Sequence, residues 1–386
     1  MLRVTTNSTL YTYKKNLLKS SNQLYSAMSA MMTGRNFDSY SADPAAATRA
    51  FQIHSSLNAT NAQAANNKTL YNKFSTAWDM ADDMIDKLTQ DLAQTPLIRG
   101  LNQPSWSTLN TQGDVILSGA EAMVQSLNSQ YDGNYIFNGT DTKTPPFAIE
   151  TVKGATPAED KYYLTFRNVR VDDDPTSTYY TEIYQDVNGK QILDDQGKPI
   201  TNGQALELFS QDLEHQYVDI GIGFELDQDG NVIDSTAFDA SISGLTFIGG
   251  SGWDDDNDPK NIVSIMLRAA EIFKGYDQNT AASGSSGSWG AAGNYDDAVR
   301  LVKKFTAAQE SLSKQHVQLE TDAKYLQTNQ TQLESSFYSL NTELTSIERV
   351  DQVEAILTLV SMQTSYNAAI QVGANVVPQS LMDYLN

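Results

Sequence analysis

The chain has 386 residues, enough for two or three domains with real cores, and its 47 acidic against 26 basic residues give a net charge of −21. Such a charge repels a phosphate backbone, so we expect no nucleic-acid partner. Cysteine is absent, which excludes disulfides, thiolate metal sites and a cysteine nucleophile. The first residues lack the apolar core of a cleavable signal, and no run reaches the roughly 18 apolar residues that span a bilayer. We therefore expect a soluble protein without a membrane partner.

The first helix is predicted from two apolar rows with a seven-residue spacing. One row is Leu10, Leu17, Leu24 and Met31, and the next is Tyr11, Leu18, Tyr25 and Met32. This pattern indicates an amphipathic helix with a narrow apolar seam. Because an isolated helix of this length is marginal in water, the seam needs a partner. Gly34 is predicted to end the helix, and Asp43-Pro44 to begin the next one.

Two further helices are predicted before the middle of the chain. Residues 45–95 contain no glycine or proline, and helical spacing places Leu70, Phe74, Ala77, Ala81, Met84 and Leu88 on one face. A third helix is expected over roughly residues 107–131, with Ile116, Met123 and Leu127 facing inward.

The middle of the chain is acidic and carries strand and turn signals. Residues 141–290 contain 26 acidic and 10 basic residues, a net charge of −16. Apolar residues alternate between positions 162 and 166, and Asn188-Gly189 and Asp229-Gly230 are typical hairpin turns. One helix is expected from a cap at Asp258 to Gly275. The pattern predicts a β-rich domain, followed by a Gly/Ser-rich linker.

The last part of the chain has the strongest periodicity. Leucine or isoleucine recurs every seven residues at Leu312, Leu319, Leu326, Leu333, Leu340 and Ile347. Such a run predicts a long packed helix. After Arg349 the apolar pattern shifts to Val350, Val353, Leu357 and Val360, which indicates a separate terminal helix.

The two ends of the chain are complementary. Residues 1–40 carry a net charge of +4 and residues 350–386 one of −3, and both have an apolar seam. We expect the ends to pair, which predicts an α+β fold: a long helical bundle or coiled coil formed by the terminal segments, with a β-rich inserted domain. The predicted parts are paired terminal helices (1–40 and 350–386), a helical core (41–147 and 296–349) and an acidic outer domain (148–295).

The predicted functional site is an assembly seam for helix or subunit packing. Its residues are Leu10, Leu17, Leu24, Met31, Leu326, Leu333, Leu340, Ile347, Val353, Leu357 and Val360.

Catalytic and metal motifs are weak. Residues 225–236 resemble a calcium loop only in part, since Glu225 stands first and Thr236 replaces the required last glutamate, so a solvated hairpin is favoured. The acids from Asp254 to Asp258 are better explained by a helix N-terminus than by a cation site. His54, His215 and His316 belong to no recognisable catalytic motif. We expect no enzyme activity, no metal and no cofactor.

Three segments resemble the bacterial flagellin superfamily. Residues 31–47, MMTGRNFDSYSADPAAA, look like the family's signature after its first helix. Their Asp-Pro-Ala form is more similar to the hook–filament junction family, hook-associated protein 3, than to flagellin proper. Residues 132–140, DGNYIFNGT, followed by Pro146-Phe147, are similar to that family's box at the exit from the helical core. Segments from Ser365 to Leu385 resemble its C-terminal helix and tail. Val377-Pro378-Gln379 is more similar to flagellin proper.

The resemblance covers roughly residues 1–147 and 296–386. It implies an extracellular structural protein of the bacterial flagellum, exported by the type III apparatus with the help of an export chaperone. It further implies self-assembly at the distal end of the hook, between the first hook-associated protein and flagellin. Flagellin proper is the alternative, and a ligand-binding protein or enzyme carried by the middle domain is a third.

Overall fold

The computed structural model describes residues 6–37, 41–102, 105–156, 159–174, 176–194, 196–210, 215–228, 230–233, 236–276, 289 and 293–376, excluding the side chains of 6, 7, 9, 10, 106 and 374–376. Long helices at both ends flank a middle with small antiparallel sheets, which confirms the predicted α+β class. The chain divides into two compact units, Met1–Gln63 with Gln332–Asn386, and Ala64–Thr331. The three-part division of the sequence stays a prediction.

The helices are α1 Thr6–Thr33, α2 Pro44–Asp83, α3 Thr95–Asn102, α4 Trp106–Leu127, α5 Asn202–Ser210, α6 Gly244–Phe247, α7 Ile262–Lys274, α8 Tyr295–Glu348 and α9 Gln352–Val376. A π-helical segment, Met84–Gln94, joins α2 to α3 and was not predicted. Within the described residues, no helix combines the length and apolarity needed to cross a bilayer.

The strands are short and antiparallel. They are β1 Gln130–Tyr131, β2 Asn134–Tyr135, β3 Phe147–Val152, β4 Lys161–Phe166, β5 Val169–Arg170, β6 Tyr217–Val218 and β7 Phe238–Asp239. The central sheet has the order β3-β4-β5, and β3 pairs with β4 in a register that runs from Phe147 opposite Phe166 to Val152 opposite Lys161. Much of the rest of the middle is turn. Two short helices, α5 and α6, accompany the one helix predicted there.

Helix ends follow local capping chemistry. Gly34 ends α1 with φ of +68°, a value that favours glycine, and its N–H donates to the Ala30 carbonyl. The Asp43 carboxylate accepts the N–H groups of Ala45 and Ala46 at 3.1 and 3.0 Å. Both predicted caps are therefore confirmed.

The predicted cap of α7 is wrong. The side chain of Asn261, and not of Asp258, accepts the N–H of Ser264 at 2.8 Å and starts the helix at Ile262. Asp258 is buried and binds Arg300 of α8 instead, at 2.6 Å. Asparagine caps a helix as well as aspartate does, so residue type alone does not favour Asp258 over Asn261.

The core of the unit Ala64–Thr331 lies around α4 and α7. Helix α7 is buried on nearly every face because it packs against α4 and also against β4. The inward residues predicted for α4, Ile116, Met123 and Leu127, are fully buried. At Gly119 of α4 a Cβ atom would lie 2.8 Å from the Leu92 Cβ, so glycine lets the π-helical segment approach closely.

Candidate assembly surface

Two turns join at the base of the terminal helices, within the unit Met1–Gln63 and Gln332–Asn386. The Asn36 side-chain amide donates to the carbonyl oxygens of Ile347 and Arg349 at 2.8 and 3.1 Å. The backbone adds bonds from Asn36 N–H to the Glu348 carbonyl and from Val350 N–H to the Gly34 carbonyl. The turn between α1 and α2 is thereby fixed to the turn between α8 and α9.

From these turns α1 and α9 run side by side. The Tyr13 hydroxyl donates to the Ala369 carbonyl at 3.0 Å, and Tyr13 lies so close to Gly373 that any Cβ there would collide with it. The buried side chains of the pair, among the described residues, are small: Ala27 and Ala355. The salt bridges Arg49–Glu343 and His54–Glu348 of this unit join α2 to α8.

The outward faces of both helices are apolar. On α1 the row Tyr11, Leu18, Tyr25 and Met32 is 73%, 58%, 69% and 78% exposed. On α9, Val353, Leu357 and Val360 are 67%, 66% and 55% exposed. Large apolar side chains exposed in this number on both helices indicate surfaces that bind a partner. We call these seven residues the outward apolar face.

A groove of about 1140 Å³ lies between the two helices. It is lined by Leu18 and Lys19 of α1 and by Thr358 and Met362 of α9, and Lys14 and Lys15 also border it. Apolar surface and positive charge therefore occur together along this pair.

The predicted seam residues fall into two groups. Met31 of α1 is 47% exposed, and Val353, Leu357 and Val360 of α9 are exposed, whereas Leu17 and Leu24 are half-buried. The side chain of Leu10 lies outside the described residues.

The seam residues of α8 pack inside the chain. Leu326 and Leu333 are buried, at 0% and 6% exposure. Leu340 and Ile347 pack against a small cluster of Ala50, Ile53, Leu57 and Leu344. Sequence reasoning left the row from Tyr11 to Met32 out of the site, although its seven-residue spacing was visible.

The remaining candidates for chemistry are engaged in structural contacts. His54 bonds Glu348 at 2.8 Å, His215 bonds Asp239 at 2.7 Å, and His316 stacks on Trp78. Lys304 contacts the carboxylates of both Asp254 and Asp256. In the described part of the chain no group of three or more histidine, aspartate or glutamate side chains is placed to hold a metal ion.

Comparison with known proteins gives matches among solved structures. No family model matches the chain. No curated protein matches it either. A chain from Vibrio parahaemolyticus named as a flagellar hook-associated protein aligns at 11% identity and a TM-score of 0.47, over 80% of this chain and all of that one. FlgL from Bacillus cereus aligns at 13% identity and a TM-score of 0.38, over 76% of this chain and 99% of its own. FlgL from Xanthomonas campestris aligns at 13% identity and a TM-score of 0.36, over 77% and 99%.

Proposed function

We propose that this protein is a non-enzymatic structural subunit of the bacterial flagellum that joins the hook to the filament. In this role it binds the first hook-associated protein on one side and flagellin on the other, and it assembles with further copies of itself. The motifs at residues 31–47 and 132–147 support the family assignment.

The outward apolar face is the observation that carries the proposal. Burying one exposed leucine or valine stabilises an assembly by about 1.5–3 kcal/mol, so several such residues favour association strongly. The paired helices bury mainly small residues between themselves, so much of their stability depends on a further partner. Assembly would then occur where neighbouring subunits cover this face.

Location and export follow from the same family resemblance. We place the protein outside the cell, on the flagellum, delivered through the type III export apparatus by a chaperone that covers its C-terminal helix. A chain without cysteine suits passage in an unfolded state, because no disulfide has to be reduced.

Flagellin proper is the second candidate. Val377-Pro378-Gln379 favours it, and a filament subunit would use the same apolar face. The two roles differ in what the purified protein does alone, since a flagellin forms long filaments without a second type of subunit.

Deletion of the gene in its host tests the proposal. For a junction protein we expect cells that keep their hooks, lack filaments and release unpolymerised flagellin into the medium, with motility restored by the wild-type gene. Normal filaments in the deletion strain would contradict a junction role. Long filaments formed by the purified chain alone would favour flagellin instead.

A further inference from the structure

The unit Ala64–Thr331 contains a cavity lined by buried acidic residues. A cavity of about 430 Å³ opens between β4, the loop that follows β5, the loop at Trp253 and one face of α7. Its wall includes Tyr163, Asp172, Trp253, Ser264 and Glu271. The residues Asp172, Ser264 and Glu271 are 5%, 1% and 8% exposed.

Two of the three buried carboxylates at this cavity have a cation. Asp173 accepts a hydrogen bond from Arg170 at 2.8 Å. Glu271 is bonded by Arg268 at 3.3 Å and by the Tyr162 N–H at 2.7 Å. These pairs satisfy much of the negative charge of the wall.

Asp172 is different. Its carboxylate accepts the Leu164 N–H at 3.1 Å, and no cationic side chain of the described residues bonds to it. A buried carboxylate without a countercharge is costly to keep ionised. The negative charge of Glu271 also repels that of Asp172. When Asp172 is ionised, the site therefore has an excess of negative charge.

Ser264 adds an unused polar group. Its hydroxyl lies beside Asp172 but makes no well-formed hydrogen bond in the structure. Buried polar atoms in proteins nearly always have a partner, so a hydroxyl without a well-formed bond on the wall of a cavity is available to a ligand. The hydroxyl can accept a hydrogen bond from a cation that also donates to Asp172.

We propose that this cavity binds a small primary alkylammonium ion. Its ammonium group donates to the Asp172 carboxylate and the Ser264 hydroxyl, which supplies the missing positive charge. Its alkyl stem lies along the aromatic wall at Trp253, whose indole N–H is held by the Asp173 carbonyl at 2.8 Å. The indole offers apolar surface to the stem, and because no group of the described residues is placed to hold a metal ion, a compact ammonium fits this site better than a metal ion does.

Calorimetric titration of the full chain with n-pentylamine tests this inference, with n-pentanol as the uncharged control of similar shape. We expect saturable binding of the amine and none of the alcohol. Asp172→Asn should weaken amine binding by about tenfold or more, since it removes a charge-assisted hydrogen bond. Asp91→Asn, which changes an exposed carboxylate that does not line this cavity, should leave the affinity unchanged.

The variant Asp172→Asn is expected to fold, because its asparagine oxygen can still accept a hydrogen bond from the Leu164 N–H. If Asp172→Asn does not fold, Ser264→Ala serves as the second variant and should also weaken binding. Absence of amine binding to the wild type, equal binding of pentanol, or unchanged affinity in these variants would overturn the inference. Binding of a lysine-containing tripeptide without binding of the free amine would also contradict it, since the site would then take a protein side chain.

Discussion

Tyr13 of α1 lies directly against Gly373 of α9. A methyl group at position 373 would overlap the Tyr13 ring, and the Tyr13 hydroxyl also holds the Ala369 carbonyl. In a helix glycine costs about 1 kcal/mol relative to alanine. Glycine at this position is therefore explained by the close approach of α1, and not by helix propensity.

Gly373→Ala should weaken the pairing of α1 with α9 despite the better helix propensity of alanine. Overpacking typically costs about 1–3 kcal/mol, which exceeds the gain in propensity. Hydrogen exchange of the amides of both helices measures the effect, and exchange should be faster in the variant. The control is Ser361→Ala at an exposed position of α9. Slower exchange in Gly373→Ala than in the wild type would show that Tyr13 does not restrict this position.

Asp172 predicts an unusual dependence of stability on pH. Burial raises the pKa of Asp172 to about 7 from 3.8, and burial also raises the pKa of Glu271. Between pH 3.8 and about 7, Asp172 holds a proton in the folded protein and has released it in the unfolded chain. The contribution of Asp172 to stability therefore falls as the pH rises from about 4 to about 7.

Asp172→Asn removes this contribution. Denaturant unfolding should find the variant more stable than the wild type at pH 8, with a difference that shrinks toward pH 4. Asp174→Asn is the control. Hydrogen bonds from Thr176 lower the pKa of the exposed Asp174, so this variant should not be more stable than the wild type at pH 8. A constant difference between Asp172→Asn and the wild type over this pH range would show that Asp172 stays ionised in the folded state.

At the scale of elements, the apolar periodicities predicted the helices well. Gly34 and Asp43 marked real helix ends, and the shift of pattern after Arg349 corresponds to the break between α8 and α9. The π-helical segment could not be foreseen, because its apolar residues also suit an ordinary helix. The start of α7 was misplaced because Asp258 and Asn261 are equally good caps.

The assembly surface was predictable only in part. Seven-residue spacing identifies an apolar row but does not say which row faces its own chain and which faces outward. In α8 the row with Leu326 is buried within the chain, whereas in α9 Leu357 and Val360 are exposed. The difference depends on which helices lie alongside, and a single sequence does not contain that information.

Leu357→Asp should abolish assembly without unfolding the monomer. Leu357 is 66% exposed in the chain, so an aspartate there stays hydrated in the monomer, whereas it would have to lose its water in an assembled interface. Circular dichroism and the unfolding midpoint of the monomer should match the wild type. Incorporation into flagella should be lost.

Ser365→Asp is the matched control for this variant. It places the same charge on the same helix, at an exposed polar position that helical geometry turns away from Val360. It should be incorporated normally. Normal incorporation of Leu357→Asp would show that assembly does not bury the outward apolar face at this position.

At the scale of the whole molecule, the two units differ in how much they bury. The unit Ala64–Thr331 has a large core that includes nearly all of α7. In the other unit, α9 buries only Ala355 and Gly373 among its described residues. Segments with few buried contacts open locally at low free energy.

Limited proteolysis of the dilute monomer should therefore cut α1 and α9 before it cuts the unit Ala64–Thr331, and the fragments can be identified by mass spectrometry. Addition of the assembly partners should protect both helices. Cleavage of the two units at equal rates in a proven monomer would contradict this difference in local stability.

The central claim is that subunits cover the outward apolar face on assembly, and thiol accessibility measures this directly. Because the chain has no cysteine, one substitution introduces a single thiol. Val360→Cys places it on the outward apolar face. Asn188→Cys places it on the exposed turn between Gln185 and Gln191. The rate of maleimide labelling is compared between the purified monomer and isolated flagella. We predict that labelling at position 360 slows by about tenfold or more in flagella while labelling at position 188 is unchanged. Equal labelling of position 360 in the monomer and in flagella would contradict the account.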